Sequence, residues 1–381
     1  MDLFYMRIYG RENFIEQLWT TLEEKGVVLS AERRMGKTCV IQKMAETATT
    51  RHGKTCLAIY QDLESVGSTR EFVDQVFQKT RPYLKIHQST FIGGKQFLSS
   101  LGGLEIAKVV KLPAFAEVQW KPLLTEIIEC LVKNHSLVIL FWDEFPVMLS
   151  KIAKDAAGEQ TAMEILDTLR QLRQSHPAKL RMVFTGSIGI HLVLSTLKRR
   201  GYMNEPINDM HVIEVGPLSE TDASEFVKVL LESAKLDSAE EYREQIVECV
   251  DRIPFYIQEL VRFLQFECGG KKVEASVALQ DCISKSLGVW NFEHYVERIN
   301  SYYEPADREL ALLLLDEFAR KENGHKLNEI TKIASKQSFN EEQIKQVTLL
   351  LKKDHYLNQS SDGTMTMKYS FVRKWWKMHR C

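Results

Sequence analysis

The stretch from Val27 to Thr38 constrains this chain more than any other. Val27-Val28-Leu29-Ser30 is an apolar, β-branched run, and Ala31-Glu32-Arg33-Arg34-Met35-Gly36-Lys37-Thr38 joins it directly to a helical pattern. Apart from Ala31, which stands where the pattern has its first glycine, this is G-x-x-x-x-G-K-[ST] between a strand and a helix. Such a loop turns backbone N–H groups and a helix N-terminus toward an anion, so small residues belong where the backbone approaches it. Gly36 meets that need. Ala31 is compatible with it if its φ is negative, which leaves binding intact and turnover open.

A second run complements the first. Leu137-Val138-Ile139-Leu140-Phe141-Trp142 is a near-continuous apolar strand that ends in Asp143-Glu144, the pattern of a buried central strand with acids at its carboxyl end. Together the two runs predict an ATP site with magnesium. Lys37 reaches the β- and γ-phosphates, the Thr38 hydroxyl and Asp143 serve Mg²⁺, and Glu144 polarises the attacking water. A third strand, Arg181-Met182-Val183-Phe184, leads into Thr185-Gly186-Ser187. Thr185 and Ser187 are candidates to meet the γ-phosphate, with ordinary turn residues as the alternative. Arg199 and Arg200, in Lys198-Arg199-Arg200, are candidate arginine fingers for a neighbouring subunit, with a solvated charge run as the alternative. Arg33 and Arg34 cannot both cradle phosphate, so they are expected to face a partner or a lid.

Around these motifs the first hundred and fifty residues alternate short apolar runs with longer amphipathic stretches, the pattern of a parallel sheet wrapped by helices. Strands are expected at 27–30, 56–61, 137–143, 182–186 and 212–215, and helices at 11–25, 37–51, 69–80, 120–134 and 162–175. A Gly-rich, alternating stretch at about 90–118 reads as an inserted hairpin or small subsheet, either a plain surface elaboration or a partner surface. After Pro217 the strand signals stop, and 220–235, 239–250 and 255–266 read as a helical lid, followed by a helical linker at 271–300. Helices at 308–320, 327–335 and 340–353, then a hairpin built from 356–357 and 364–371, make a winged helix-turn-helix. The expected domains are therefore 1–217, 218–300 and 301–381.

The whole chain has 381 residues and net charge −1, so no global field draws it to nucleic acid or membrane. The segment 326–381 is locally basic, with eleven Lys/Arg against five Asp/Glu. Lys336, Lys345, Lys352, Lys353, Lys368, Arg373, Lys374 and Lys377 are candidate phosphate contacts for duplex DNA, and Asn340, Gln343 and Gln346 are candidate base readers. Tyr369, Phe371, Trp375 and Trp376 are expected to close a small core, with a single-strand stacking platform as the alternative. Seven scattered cysteines without a C-x-x-C pair argue for reduced thiols. With no leader-like or membrane-length apolar run, the expectation is a soluble, cytoplasmic protein.

The chain resembles the archaeal-type ATPase family, a branch of the STAND and ORC/Cdc6-related AAA+ P-loop ATPases. The resemblance rests on Tyr9-Gly10-Arg11-Glu12 before the first helix, on Glu32 to Thr38, and on Trp142-Asp143-Glu144-Phe145. It continues through Phe184-Thr185-Gly186-Ser187, Val215-Gly216-Pro217-Leu218-Ser219 and the closing Phe371-Val372-Arg373-Lys374-Trp375-Trp376. It implies Tyr9, Arg11 and Pro254 beside the nucleotide, with the loop from Ala31 through Cys39 around its phosphates. It also implies oligomerisation that completes the site and a switch coupled to the winged helix. One departure is Arg252-Ile253-Pro254, where the family's lid turn has a glycine two residues before the proline. The reading that follows is an ATP-hydrolysing switch acting on DNA or a protein effector, as in phage defence or mobile elements. Its rivals are a non-hydrolysing adaptor and an ATP-sensing transcriptional regulator.

Overall fold

Five apolar runs pair side by side, and because they run parallel each needs a crossover connection before the next. In the computed structural model, which describes residues 8–84, 120–155, 158–269 and 273–381, they are β1 (Gly26–Ser30), β2 (Cys56–Asp62), β3 (Leu137–Asp143), β4 (Leu180–Phe184) and β5 (Met210–Glu214). All pairings are parallel, in the order β2-β3-β4-β1-β5. The inserted hairpin expected at about 90–118 lies outside the described residues. Helices α1 (Glu12–Glu24), α2 (Lys37–His52), α3 (Thr69–Thr80), α4 (Trp120–Asn134), α5 (Phe145–Ala153), α6 (Gly158–Ser175) and α7 (Ile190–Arg199) accompany this sheet.

The order of the strands decides where chemistry can sit. β4 lies between β1 and β3, so the carboxyl ends of all three open on one edge, where open α/β sheets hold their ligands. Every residue of β4 is buried, and β3 is buried from Val138 onward, consistent with their uninterrupted apolar sequences. Phe184 anchors that edge: its ring stacks on Phe145 at 4.2 Å and on Trp142 at 5.9 Å. β4 stops at Phe184, two residues before its expected end. Beyond it the chain turns over the start of α5, and a Cβ on Gly186 would lie 2.8 Å from Pro146 Cδ. α5 and α7 were not anticipated, because short apolar runs such as Phe145-Pro146-Val147-Met148-Leu149 carry no period that separates helix from strand.

α8 (Glu220–Ser233), α9 (Glu240–Cys249), α10 (Pro254–Phe266) and α11 (Ala275–Lys285) follow, with Ser219 capping α8 through the Asp222 N–H. The helical linker expected at 271–300 is broken. Ser286 and Gly288 have positive φ, and a 3₁₀ turn at Gly288–Trp290 separates α11 from α12 (Glu293–Tyr302). The chain ends in α13 (Pro305–Arg320), α14 (Leu327–Ser335), α15 (Glu341–Lys353), the antiparallel pair β6 (Leu357–Gln359) and β7 (Met365–Met367), and α16 (Ser370–Arg380). The second hairpin strand is thus shorter than the expected 364–371, because Ser370 and Phe371 already belong to α16.

α16 packs on α13 and α11. Trp375 donates to Ser286 Oγ at 2.9 Å and Trp376 to Asp316 Oδ1 at 2.7 Å, and both indoles are buried, so these aromatics form a core and not a stacking platform. No helix among the described residues is long and apolar enough to cross a membrane. Trp376→Ala removes both an indole buried to 0 % exposure and its hydrogen bond. Urea unfolding is expected to register a loss of about 3–5 kcal/mol.

Candidate phosphate-binding site

Between Ser30, which ends β1, and Lys37, which starts α2, the chain reverses by placing Arg34 (φ 70°) and Gly36 (φ 88°) in the left-handed region. A Cβ on Gly36 would meet nothing within 4 Å, so backbone conformation and not crowding favours glycine there. Ala31 is outside the left-handed region and buried, so its methyl carries no backbone strain. The first N–H groups of α2 have no carbonyl within the helix and are available to an anion.

Lys37 Nζ donates to the carbonyls of Ala31 (3.0 Å) and Glu32 (2.9 Å). Two of its three protons are thereby fixed, and one donor remains. Burial lowers its pKa, against the attraction of Glu32, Glu144 and Asp143. Thr38 Oγ1 donates to Asp143 Oδ2 at 2.6 Å, which joins the start of α2 to the end of β3. A hydroxyl and a carboxylate are hard oxygen donors that suit Mg²⁺, an ion held by few protein ligands plus substrate phosphates. Among the described residues no cluster of three or more His, Cys, Asp or Glu offers a complete metal cage.

Glu144 has φ 54° and stands at the N-terminus of α5, where its Oε2 accepts from both the N–H and the hydroxyl of Ser187, each at 2.8 Å. Burial raises the pKa of Asp143 and of Glu144, more than their hydrogen bonds lower them. Thr185 is 1 % exposed, and its hydroxyl has no partner among the described residues. The two hydroxyls that sequence treated alike are therefore in different situations: one holds the glutamate, the other is unengaged.

Arginines grip the loop from several sides. Arg11 Nη2 donates to Met35 O (3.1 Å) and Gly216 O (2.8 Å), tying the loop to the chain that leaves β5. Tyr9 packs its ring on Phe226 of α8 at 5.0 Å, and Gly10 approaches Asp222 so closely that a Cβ would lie 2.4 Å from it. Arg34 donates to Tyr256 Oη (2.6 Å) and Val289 O (2.7 Å) and lies 4.5 Å from the Phe255 ring. The contact of α10 with the loop thus runs through Phe255 and Tyr256, just past Pro254. Arg33 is exposed, and Cys39 is partly buried on α2.

A further grip brings in Arg298, Asp354 and His355, which no motif in the sequence marks. Glu32 is 1 % exposed and forms a two-pronged pair with Arg298 of α12, both N···O distances being 2.9 Å. Arg298 also donates to Tyr356 Oη at 2.9 Å and to Asp354 O at 3.1 Å, and lies 3.4 Å from the Asp354 carboxylate. Burial pushes the Glu32 carboxyl up, but the charge and hydrogen bonds of Arg298 carry it below its ordinary value. Asp354, second in line for the same guanidinium, is lifted to about 6 by burial, against Arg298 and with the repulsion of Glu32. Beside this group His355 Nε2 lies 2.9 Å from Ser30 Oγ, and Lys368 Nζ lies 3.0 Å from His355 Nδ1. Burial lowers the pKa of His355 to about 4, so the ring is neutral; Lys368 donates to Nδ1, which leaves Nε2–H to donate to Ser30. No local signature marks Arg298, because its partner lies 266 positions away.

Neither finger candidate is free. Arg199 Nη2 pairs with Asp307 of α13 at 2.6 Å, and Arg200 Nε lies 3.2 Å from Glu159 at the surface. Arg199 instead ties the sheet domain to the C-terminal helices. Among the basic candidates, Lys345, Lys368 and Arg373 pair with Glu341, Glu214 and Glu322. Asn340 caps α15 by accepting from the Gln343 N–H, Gln343 donates to Ala306 O, and Gln346 donates to Glu342. Gln346, Leu349 and Lys353 of α15 line, with His191, Leu194 and Lys198 of α7, a cavity of about 830 Å³. α15 therefore turns one face toward its own sheet domain.

No family model matches this chain, and no curated protein matches it by sequence. Solved structures do. The Walker-type ATPase paby2304 of Pyrococcus abyssi superimposes with a TM-score of 0.64 at 17 % identity, over 97 % of this chain and 95 % of that one. The ORC2 protein of Aeropyrum pernix, solved as ADPNP and ADP complexes, gives 0.50 at 12 % identity, over 96 % and 88 %. The fold is accordingly that of the P-loop ATPases related to ORC/Cdc6, as the motifs implied.

The turn before Pro254 keeps the backbone that a glycine would favour, with arginine in its place. Arg252 (φ 58°) and Asp251 (φ 49°) both occupy the left-handed region, and the Arg252 carbonyl accepts from the Leu218 N–H at 3.1 Å. Glycine fits such a position without the cost of about 1–2 kcal/mol that a side chain brings. Its own entropic cost offsets part of that gain. Arg252→Gly is expected to raise the unfolding free energy by about 0.5–1 kcal/mol, read from the denaturant midpoint.

Proposed function

We propose that this chain binds Mg·ATP at the loop 31–38 and hydrolyses it, using nucleotide state to set how its C-terminal helices and hairpin engage a partner. The observation that carries the reading is the convergence of Lys37 and Thr38, at the start of α2, with Asp143 and Glu144, at the carboxyl end of β3. The α2 N–H groups and the remaining proton of Lys37 bind the β- and γ-phosphates. Thr38 and Asp143 would hold magnesium, which would supply positive charge against the transferring phosphoryl group. Glu144, fixed by Ser187, orients the water that attacks the γ-phosphorus as the bond to the ADP oxygen breaks. The unengaged Thr185 hydroxyl is a donor suited to a γ-phosphate oxygen. That the Aeropyrum protein was solved with ADPNP and ADP supports nucleotide as the ligand class.

The experiment is a comparison of wild type, Lys37→Ala and Glu144→Gln. Lys37→Ala is expected to weaken ATP binding by about 10- to 100-fold, the worth of a charge-assisted hydrogen bond. Glu144→Gln should keep binding while phosphate release falls by about 10²- to 10⁴-fold. Equal phosphate release from wild type and Glu144→Gln would favour the non-hydrolysing adaptor. Because Glu144 must be ionised and burial raises its pKa, the acid limb of the rate profile should lie above the titration range of an ordinary glutamate.

Duplex DNA is the second reading for the partner, favoured by Lys336, Lys353, Lys374 and Lys377, none of which is ion-paired among the described residues. Binding of this kind weakens steeply with salt, so a flat salt dependence of any DNA affinity sinks it. A second copy of the chain or a protein effector then takes its place.

A further inference from the structure

The Arg298 side chain is held by two parts of the molecule at once. From the loop side it meets Glu32, the residue whose carbonyl also accepts a proton from Lys37. From the C-terminal side it meets Asp354 and Tyr356, which stand between the last turn of α15 and β6. Glu32 is thus bonded both to Lys37, through its backbone, and to Arg298, through its carboxylate. Its Oε1 accepts a further bond from the Arg33 N–H at 2.7 Å, so the position of the carboxylate also sets the course of the loop. Tyr356 Oη in turn donates to Tyr295 O at 2.7 Å, one turn before Arg298 on the same helix, which fixes the guanidinium from behind.

We propose that Arg298 is a positioning residue for the phosphate-binding loop, supplied by the C-terminal part of the chain. Through Glu32, Arg298 and Asp354, nucleotide binding at the loop and the seating of residues 341–367 favour one another. This rests on the nucleotide-binding reading. The sign follows from the geometry. The loop conformation that presents Lys37 is the one in which Glu32 reaches Arg298, and Arg298 is aimed by Asp354 and Tyr356 only while α15 and β6 are seated. A ligand that binds this loop conformation stabilises the seat, and by reciprocity an unseated α15 weakens the ligand. The contact of His355 with Ser30 runs parallel to this route and has the same sign, since it too forms only with the hairpin in place.

The test is amide hydrogen exchange on the full chain, with and without Mg·ADPNP, beside nucleotide affinity from calorimetry. In the wild type, ADPNP should slow exchange at 31–39 and also at 341–367, there by about tenfold. Arg298→Lys keeps the charge and loses the two-pronged geometry. It should weaken ADPNP by about tenfold and lose the response at 341–367. A residue with a purely structural role would lower stability but leave that response intact. If Arg298→Lys does not fold, Asp354→Asn serves instead, because it leaves both bonds to Glu32; protection at 31–39 should persist and the response at 341–367 should shrink. Wild type that binds ADPNP and protects 31–39 without change at 341–367 overturns this inference alone. An unchanged response in the folded variant does the same. Wild type that binds no nucleotide removes the underlying reading, and this inference with it.

Discussion

A buried guanidinium governs how this molecule is joined together. Arg298 is fully enclosed with two carboxylates, Glu32 and Asp354, and a tyrosine hydroxyl. None of these charges belongs in a protein interior alone. Each is tolerable because the others are present, and removal of one partner from such a group typically costs about 3–5 kcal/mol. The consequence is structural before it is functional. A loop residue that would face water in an isolated sheet domain is here buried by a helix that begins more than 250 residues later. The phosphate-binding loop and the C-terminal helices are therefore parts of one packed unit.

The loop itself is held largely by its own chain's cations. Arg11 takes a carbonyl from its far side, Arg34 leaves it for the aromatic rings of α10, and Lys37 closes it on itself through two carbonyls. These bonds fix the backbone before any ligand arrives, which removes ordering cost from the binding step. They also show how alanine is accommodated at position 31. The left-handed turns fall at Arg34 and Gly36, so the residue that departs from the usual pattern is not one that has to bend.

How far the sequence could be read follows from the range of each interaction. The strand–loop–helix at Val27 to Thr38 and the acids after Trp142 are local patterns, and the sheet places both where the strand order requires. The burial of Trp375 and Trp376 was expected because aromatics clustered near the end of a small helical unit more often close its core than stand in water. α5 and α7 were not, because apolar runs of nine or ten residues fit helix and strand alike. Arg199 read as a finger or a solvated charge, since Asp307 stands 108 positions away and nothing in Lys198-Arg199-Arg200 points to it. Arg298, Asp354 and His355 are the extreme case. An arginine in an amphipathic helix and an Asp-His pair after another are ordinary composition until the fold puts them beneath Ser30 and Glu32.

The strength of this joint limits what nucleotide can do to it. A ligand shifts a conformational equilibrium only by the difference between its affinities for the two states. Complete release of α15 and the hairpin would have to break the contacts of Arg298 to Asp354 and Tyr356 and the His355–Ser30 bond together. A shift from 1:99 to 99:1 already needs about 5.5 kcal/mol of differential binding. Loss of several buried charge contacts exceeds that readily. A phosphate group that enters or leaves the loop can therefore loosen or tighten the seat of α15 and the hairpin, and full undocking needs a second source of free energy.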